Sequence, residues 1–467
     1  MKTISTVLLV LFIMAFAPAQ QRWTKTYGGS SGAGASSVQQ TSDGGYIVAG
    51  NINGAVSTDV YLVKTNASGD TVWTRTYGGT GNDAGYSVQQ TADGGYIVVG
   101  YTLSFSASRD VYLIKTDSSG DTLWTKSYGG AGNDIAYSVQ QTADLGYIVT
   151  GYTSSHGAGA QDVYVIKTNA SGDTLWTRTY GGTGDDEGSS VQQTSDGGYI
   201  VAGLTSSFGT GTYYAYLIKT NPSGDTLWTK TYGWGLAAEG SSVQQTSDGG
   251  YIVTGYTYPS AATTYDVFLV KTNSVGDTLW TRTWGGAGAD YGYSVRQTTD
   301  GGYIVAGTTR LSPLEDVNVY LAKTSASGDT LWTMKYGGGA DDEGYSVQQT
   351  TDGGYIIAGF TNSFGANYAV YLIKTDANGS IGVQEPGSGR KVAAGSVRVV
   401  PNPFVSFARV PNHEAEQFNL YDISGKLVGA YRGDRIGEGL SPAVYFIKLD
   451  AESGRSLRIV KVGTRAE

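Results

Sequence analysis

Residues 73–124 read WTRTYGGTGNDAGYSVQQTADGGYIVVGYTLSFSASRDVYLIKTDSSGDTLW, and the stretch ends on the tryptophan context with which it opens. Trp23, Trp73, Trp124, Trp176, Trp228, Trp280 and Trp332 all stand in WT-x-x-Y/W, at successive spacings of 50, 51, 52, 52, 52 and 52 residues. Self-similarity at such a period belongs to solenoids, propellers or arrays. Each unit carries four strand-like runs; in the first they are 37–41 (SVQQT), 46–50 (YIVAG), 60–65 (VYLVKT) and 70–77 (DTVWTRTY). Turns such as Ser42-Asp43-Gly44-Gly45 join the first two runs, a strong hairpin signal because glycine accepts positive φ. The third unit has Leu145 where glycine is expected.

Four antiparallel strands repeated radially describe a β-propeller blade. Solenoid coils are much shorter, and a lone four-stranded sheet could not bury both its faces. SVQQT-type strands begin at Ser37, Ser87, Ser138, Ser190, Ser242, Ser294 and Ser346, which makes seven units. The seventh ends at 371–375 (YLIKT) with no DTLWT strand after it, whereas 22–27 (RWTKTY) precedes the first. Pairing these two ends closes the circle and removes an exposed edge. The expected fold is therefore all-β: a seven-bladed β-propeller over residues 20–376, its N-terminal strand completing the last blade. A Gly/Ser/Ala-rich linker (377–395) and a small C-terminal β-sandwich (396–467) follow.

The chain has 31 Lys+Arg against 40 Asp+Glu, a net charge of −9 without any basic run. This balance argues against nucleic acid or an anionic membrane as partner, and a monomer is expected. Cysteine is absent, so disulfides, zinc–thiolate sites and cysteine nucleophiles are excluded. Lys2, the apolar run 7–16 (VLLVLFIMAF) and Ala17-Pro18-Ala19 have the form of a signal peptide, 1–19, cleaved after Ala19. Ten apolar residues are too few to span a bilayer.

A lysine occupies one place in every unit, from Lys64 to Lys374, and is expected to make a structural contact between blades. After each tryptophan strand comes a loop such as Gly78-Gly79-Thr80-Gly81-Asn82-Asp83, with Asp134, Asp186, Asp290 and Asp342 as equivalents of Asp83. It matches the start of the GGxGxDxUx calcium nonapeptide, but the copies lie too far apart to stack as a β-roll. Two readings stay open: an Asx-type turn, or a lone aspartate holding calcium with backbone carbonyls. No other cofactor is implied. The two histidines, His156 and His413, lie in different parts of the chain, which disfavours Ser–His or multi-histidine chemistry. No acid pair stands out from its repeat equivalents.

Resemblances to known families add to this. The segment Ser68-Gly69-Asp70-Thr71-Val72-Trp73 resembles the tryptophan-docking motif of quinoprotein-type propellers, which implies a tryptophan packed between neighbouring blades. The same corner is loosely similar to the Asp-box of sialidases, without their arginine cluster, and SVQQTSDGGYIVAG is similar to bacterial SBBP-type propeller repeats. At Pro401, Asn402 and Pro403, at 420–428 (LYDISGKLV, with Tyr421, Asp422 and Gly425) and around Tyr445, the C-terminal segment resembles type A sorting domains of the type IX secretion system. Ala443 departs from the glycine usual there. That resemblance implies the type IX machinery as a partner, and a propeller released or attached at the outer-membrane surface.

The function expected from these features is non-catalytic binding of an extracellular glycan, peptide or matrix component. The near-identity of the repeats suits a shallow multivalent surface better than one asymmetric catalytic centre. His156, Tyr213, Tyr214, Tyr258 and Tyr265, in the variable loops beside Asp83 and its equivalents, are the candidate ligand face. The alternative is a carbohydrate-active hydrolase or lyase on the same scaffold.

Overall fold

Each first hairpin is locked by a charged pair. In the structure, a computed structural model of the 467-residue chain, the Lys64 ammonium lies 2.8 Å from Asp43 of the Asp-Gly-Gly turn and also donates to the Thr65 carbonyl. Asp43 further accepts from the Thr41 hydroxyl and the Gly45 amide. Burial pushes this carboxyl up, but the bonds from Lys64, Thr41 and Gly45 outweigh it and hold its pKa at about 2. The lock recurs in every blade, through Lys374 with Asp352. The lysines therefore act inside a blade, not between blades as the sequence suggests. A Cβ on Gly45 would sit 2.1 Å from the Thr65 carbonyl oxygen, whereas the preceding Gly44, at φ +81°, faces open space. It is at that open position that the third blade carries Leu145, at φ +65°.

The described residues are 22–28, 31–209, 212–233, 235–259, 264–310, 315–365 and 367–381, then 417–422, 426–432, 441, 443–448 and 456–461. The chain divides into two compact units, Met1–Gln384 and Glu385–Glu467. In the first, seven four-stranded antiparallel sheets succeed one another. Blade 1 comprises Ala33–Gln40, Tyr46–Asn53, Thr58–Thr65 and Thr71–Tyr77, inner to outer, and blades 2 to 6 repeat that order. In blade 7 the outer strand is Trp23–Tyr27, paired antiparallel to Ala369–Thr375 with Trp23 opposite Lys374. The second and third strands are apolar along nearly their whole length because neighbouring blades cover both faces.

Alternation along the inner strand explains why two glutamines stand side by side. Successive side chains point to opposite sheet faces, and each face meets a different blade. Gln39 turns to the next blade and accepts from the Gln90 amide at 2.6 Å; Gln90 turns back and accepts from Ser42 at 2.8 Å. Serines form a third series, with Ser37 Oγ accepting from the Val88 amide. The serine series is complete through seven junctions, including Val38 to Ser346 across the ring closure.

At the rim, Trp73 of blade 1 lies against Gly120 of blade 2, where a Cβ would come within 2.9 Å of the indole. Tyr77 donates to the Gly120 carbonyl and Arg75 pairs with Asp121, so Trp73, Arg75 and Tyr77 all engage the same neighbour. The Trp23 ring packs on Gly69 in the same way, which carries the contact across the closure. The tryptophans thus dock between blades, as the resemblance implies. One junction differs: Met334 replaces the cation where Ser380 replaces the aspartate, and Met334 packs on Gly379 instead.

Among the described residues, the second unit is a four-stranded antiparallel sheet ordered Leu427–Arg432, Gln417–Tyr421, Ala443–Lys448, Ser456–Lys461. Phe418 and Leu420 are buried; Asp422 and Lys426 close a turn through backbone and carboxylate bonds, and Tyr445 donates to the Ser441 carbonyl. The segment 1–19 with Ala19, and Pro401, Asn402, Pro403 and Gly425, lie outside the described residues.

Replacing Leu145 by glycine should stabilise the propeller by about 0.5–1 kcal/mol, because a side chain at positive φ is strained and Leu145 is half-exposed. Calorimetry should show a higher Tm for the variant; an equal or lower Tm contradicts the strain argument.

Candidate functional site

In every blade the inner strand carries one residue more than its partner. Blade 2 pairs Gly85 with Gly100 and Ser87 with Val99, so Tyr86 is bulged out. The same shift falls at Ser36, Tyr137, Ser189, Ser241, Tyr293 and Tyr345. Bulges re-aim side chains, and glycine opposite makes room for this one: a Cβ on Gly100 would lie 1.8 Å from the Ala84 carbonyl oxygen. The bulged residues ring one mouth of the axial channel. Their identities break the seven-fold symmetry, with tyrosine on blades 2, 3, 6 and 7 and serine on blades 1, 4 and 5.

The tyrosines form two arcs. Tyr86 and Tyr137 have centroids 5.3 Å apart, and Tyr293, Tyr345 and Phe360 follow at 5.1 and 6.2 Å. Between the arcs, over blade 1, opens a cavity of about 650 Å³ walled by Tyr86, Tyr293, Tyr345 and Phe360, with Ser36 and Asn51 as polar groups.

The residue two before each bulge varies as well, and three copies are acidic: Glu187, Glu239 and Glu343. Burial, then the neighbouring Glu239 and Asp185, push the Glu187 carboxyl up to about 7. Burial also raises Glu239, against a hydrogen bond from Tyr256, and Glu343, against one from Tyr345. Glu187 and Glu239 line a second cavity of about 290 Å³ with Tyr213, Tyr256 and Tyr265. The sequence reading expects no acid pair to stand apart from its repeat equivalents, whereas these two do. Their signal is the variable position inside D-A-G-Y, D-I-A-Y, D-E-G-S and A-E-G-S, which a reading focused on loops passes over.

Of the expected face residues, Tyr213 and Tyr265 line that second cavity and Tyr258 packs on Tyr265 at 5.2 Å. His156 is exposed and packs on Tyr164, lining neither cavity. Tyr214 is a structural residue, its ring filling the space beside Gly209 and Gly233.

The five aspartates are not exposed loop groups. Asp83, Asp134, Asp186, Asp290 and Asp342 begin the inner strands and are buried. Asp83 accepts from the Gly79 amide and the Ser104 hydroxyl, pinning its own loop to the next one, and Asp134, Asp186 and Asp342 do the same with Ser155, Ser207 and Ser363. Asp290 keeps the amide bond, from Gly286. The second oxygen of Asp83, Asp134, Asp186 and Asp342 has no hydrogen-bond partner.

A second carboxylate faces four of the five, and Asn318 faces Asp342; a Cβ on Gly78 would lie 2.4 Å from Asp83 and 2.6 Å from Asp59. Burial and the facing aspartate raise the pKa of Asp59, Asp110 and Asp266. Two copies have lost both members, Tyr214 standing opposite Ala238 and Ala369 opposite Ala33, and one copy has lost a single carboxylate, Asn318 opposite Asp342. Two adjoining carboxylates need a shared proton or a shared cation. Each pair offers two side chains toward the six to eight oxygens of calcium, and among the described residues no group of three or more His, Cys, Asp or Glu could hold a metal.

No family model matches the chain, and no curated protein matches it. Among solved structures it is similar to the WD40 domain of Neurospora crassa Pan2, at 11% identity and a TM-score of 0.47, over 77% of this chain and 97% of that one. Chaetomium thermophilum Sqt1 bound to the N-terminus of ribosomal protein L10 gives 10%, 0.45, 75% and 98%. A Dyadobacter fermentans protein of unknown function gives 9%, 0.43, 76% and 98%. No residue role carries across at these values.

Folding raises the Glu187 pKa, so the folded state holds that proton more tightly and its stability falls as pH rises from about 4.5 to about 7. Glu187→Gln should remove on the order of 1–3 kcal/mol of that pH dependence. Thermal unfolding of both proteins between pH 4.5 and 8 measures it, and parallel profiles would contradict the assignment.

Proposed function

We propose that the propeller is an exported, non-catalytic binding module whose tyrosine-walled mouth takes a segment of an extracellular glycan. One observation carries this reading: the bulged mouth residues depart from the repeat, and they do so toward tyrosine around a cavity of about 650 Å³. Tyrosine faces stack on the apolar faces of sugar rings while their hydroxyls remain available for hydrogen bonds. Ser36 and Asn51 add polar groups to fix orientation. On a glycan array, the mature propeller should bind a defined set of structures. Tyr86→Ala and Tyr293→Ala should each weaken that binding at least about tenfold, the loss expected of a central aromatic contact; unchanged binding in both variants sinks the proposal. Calcium, in this reading, would sit between the facing carboxylates Asp59/Asp83, Asp110/Asp134, Asp162/Asp186 and Asp266/Asp290, and between Asn318 and Asp342. A chelator would then lower the Tm.

A second reading rests on Glu187. A carboxyl with pKa near 7 beside another buried glutamate suits the general acid of a glycoside hydrolase or lyase. Polysaccharide turnover abolished by Glu187→Gln, with folding intact, would put this reading first.

Export is part of the proposal and rests on residues 1–19 and on the likeness of residues 396–467 to type IX sorting domains. In a host with that system, a chain lacking residues 396–467 should remain in the periplasm. Normal amounts of the truncated protein in the medium would remove the sorting role.

A further inference from the structure

Below the mouth, the channel narrows to a cavity of about 260 Å³ lined by the serines and first glutamines of the inner strands. The glutamines are oriented by what they bind. Backbone N–H groups can only donate, so each must be met by the amide oxygen, which leaves the NH2 of the same amide without that duty. Six junctions have this bond, from Gln348 with the Gln40 amide to Gln244 with the Gln297 amide. The channel is thus walled by hydrogen-bond donors.

At the seventh junction the glutamine is replaced. Arg296 of blade 6 occupies its place and lines the channel with the six glutamines. A guanidinium has no acceptor, so the Gln349 amide of blade 7 loses the bond that its counterparts receive. Arg296 donates to the Val295 carbonyl, no carboxylate lines this part of the channel, and no ion pair among the described residues includes Arg296. Burial alone lowers its pKa, without an acidic neighbour to oppose the shift. The substitution therefore costs the ring one hydrogen bond and places an uncompensated charge near the axis.

We propose that the axial channel holds one small oxyanion, of the phosphate or sulfate class, on the Arg296 guanidinium within the ring of glutamine amides. The planar fork of arginine matches two oxygens of such an anion, and the amides of Gln39, Gln89, Gln140, Gln192, Gln244 and Gln348 supply neutral donors around it. The site is separate from the tyrosine mouth. Arg296 follows the bulged Tyr293 by three residues on one strand, about 10 Å at the usual rise.

The test uses Arg296→Gln, which restores the residue found in the other six blades and so should fold. Inorganic phosphate and, separately, sulfate are titrated into the full chain at constant ionic strength, by calorimetry and by thermal unfolding. The native protein should bind one anion per chain and gain Tm with either salt. The variant should lose at least tenfold in affinity, show no anion-dependent Tm gain, and have the higher Tm in anion-free buffer. Arg296→Lys should retain weakened binding. Absence of a saturable site, equal binding by Arg296→Gln, or a site that takes chloride but neither oxyanion would each overturn the proposal.

Discussion

Each blade presents side-chain acceptors to the backbone of its neighbours, and the ring depends on this exchange. Apolar burial between blades is strong but indifferent to small rotations. The serine and glutamine bonds from one inner strand to the next are directional, and they fix the stagger of the blades around the axis. Buried backbone N–H groups at the centre have no other partner in a strand that is innermost in its sheet, so leaving them unmet would be costly. At the rim, the tryptophan, tyrosine and cation of each outer strand repeat the arrangement at larger radius. Two concentric sets of contacts, polar at the axis and aromatic at the rim, hold the apolar strands between them.

Much of this is legible in the sequence because the repeat displays it seven times. The Asp-Gly-Gly turn, the tryptophan corner and the offset phase of the N-terminal strand are local or periodic signals, and periodicity converts them into a blade and a closure. The site is less legible. Tyr86 and Tyr293 reach the mouth through a bulge, and a bulge leaves no mark in an alternating pattern beyond one extra residue, while Glu187 and Glu239 stand two residues before one, at a position the repeat leaves variable. Asp83 and its equivalents invite the opposite error. A glycine-rich run reads as a loop, but its last residue is already the first of a strand and is buried there. Spacing places the lysines on their strand, while the turn aspartate that each one meets is a contact between elements that spacing cannot supply.

Some exceptions to the repeat come in matched sets. Met334 accompanies Ser380, and Tyr214 accompanies Ala238. In each case the two residues touch the same space from neighbouring blades, so losing a charge on one side removes the reason for keeping its partner. Comparison among copies within one chain thus reports physical contacts. Arg296 stands outside this pattern, because no neighbour has changed to receive it.

The outermost strand of blade 7 is the first strand of the chain, and its partner, Ala369–Thr375, comes more than three hundred residues later. The consequence is an order of events. Six blades can assemble from hairpins whose contacts are local in sequence, whereas the seventh waits for both termini of the ring and pays a long loop-closure entropy in one step. Until then Trp23 has no sheet to belong to, and the third strand of the last blade is an open edge. The near-identity of the units adds a hazard at that moment, since any of seven outer strands has nearly the right sequence to fill the gap. Departures such as Met334 with Ser380 then work as addresses, telling otherwise interchangeable blades which neighbour is theirs.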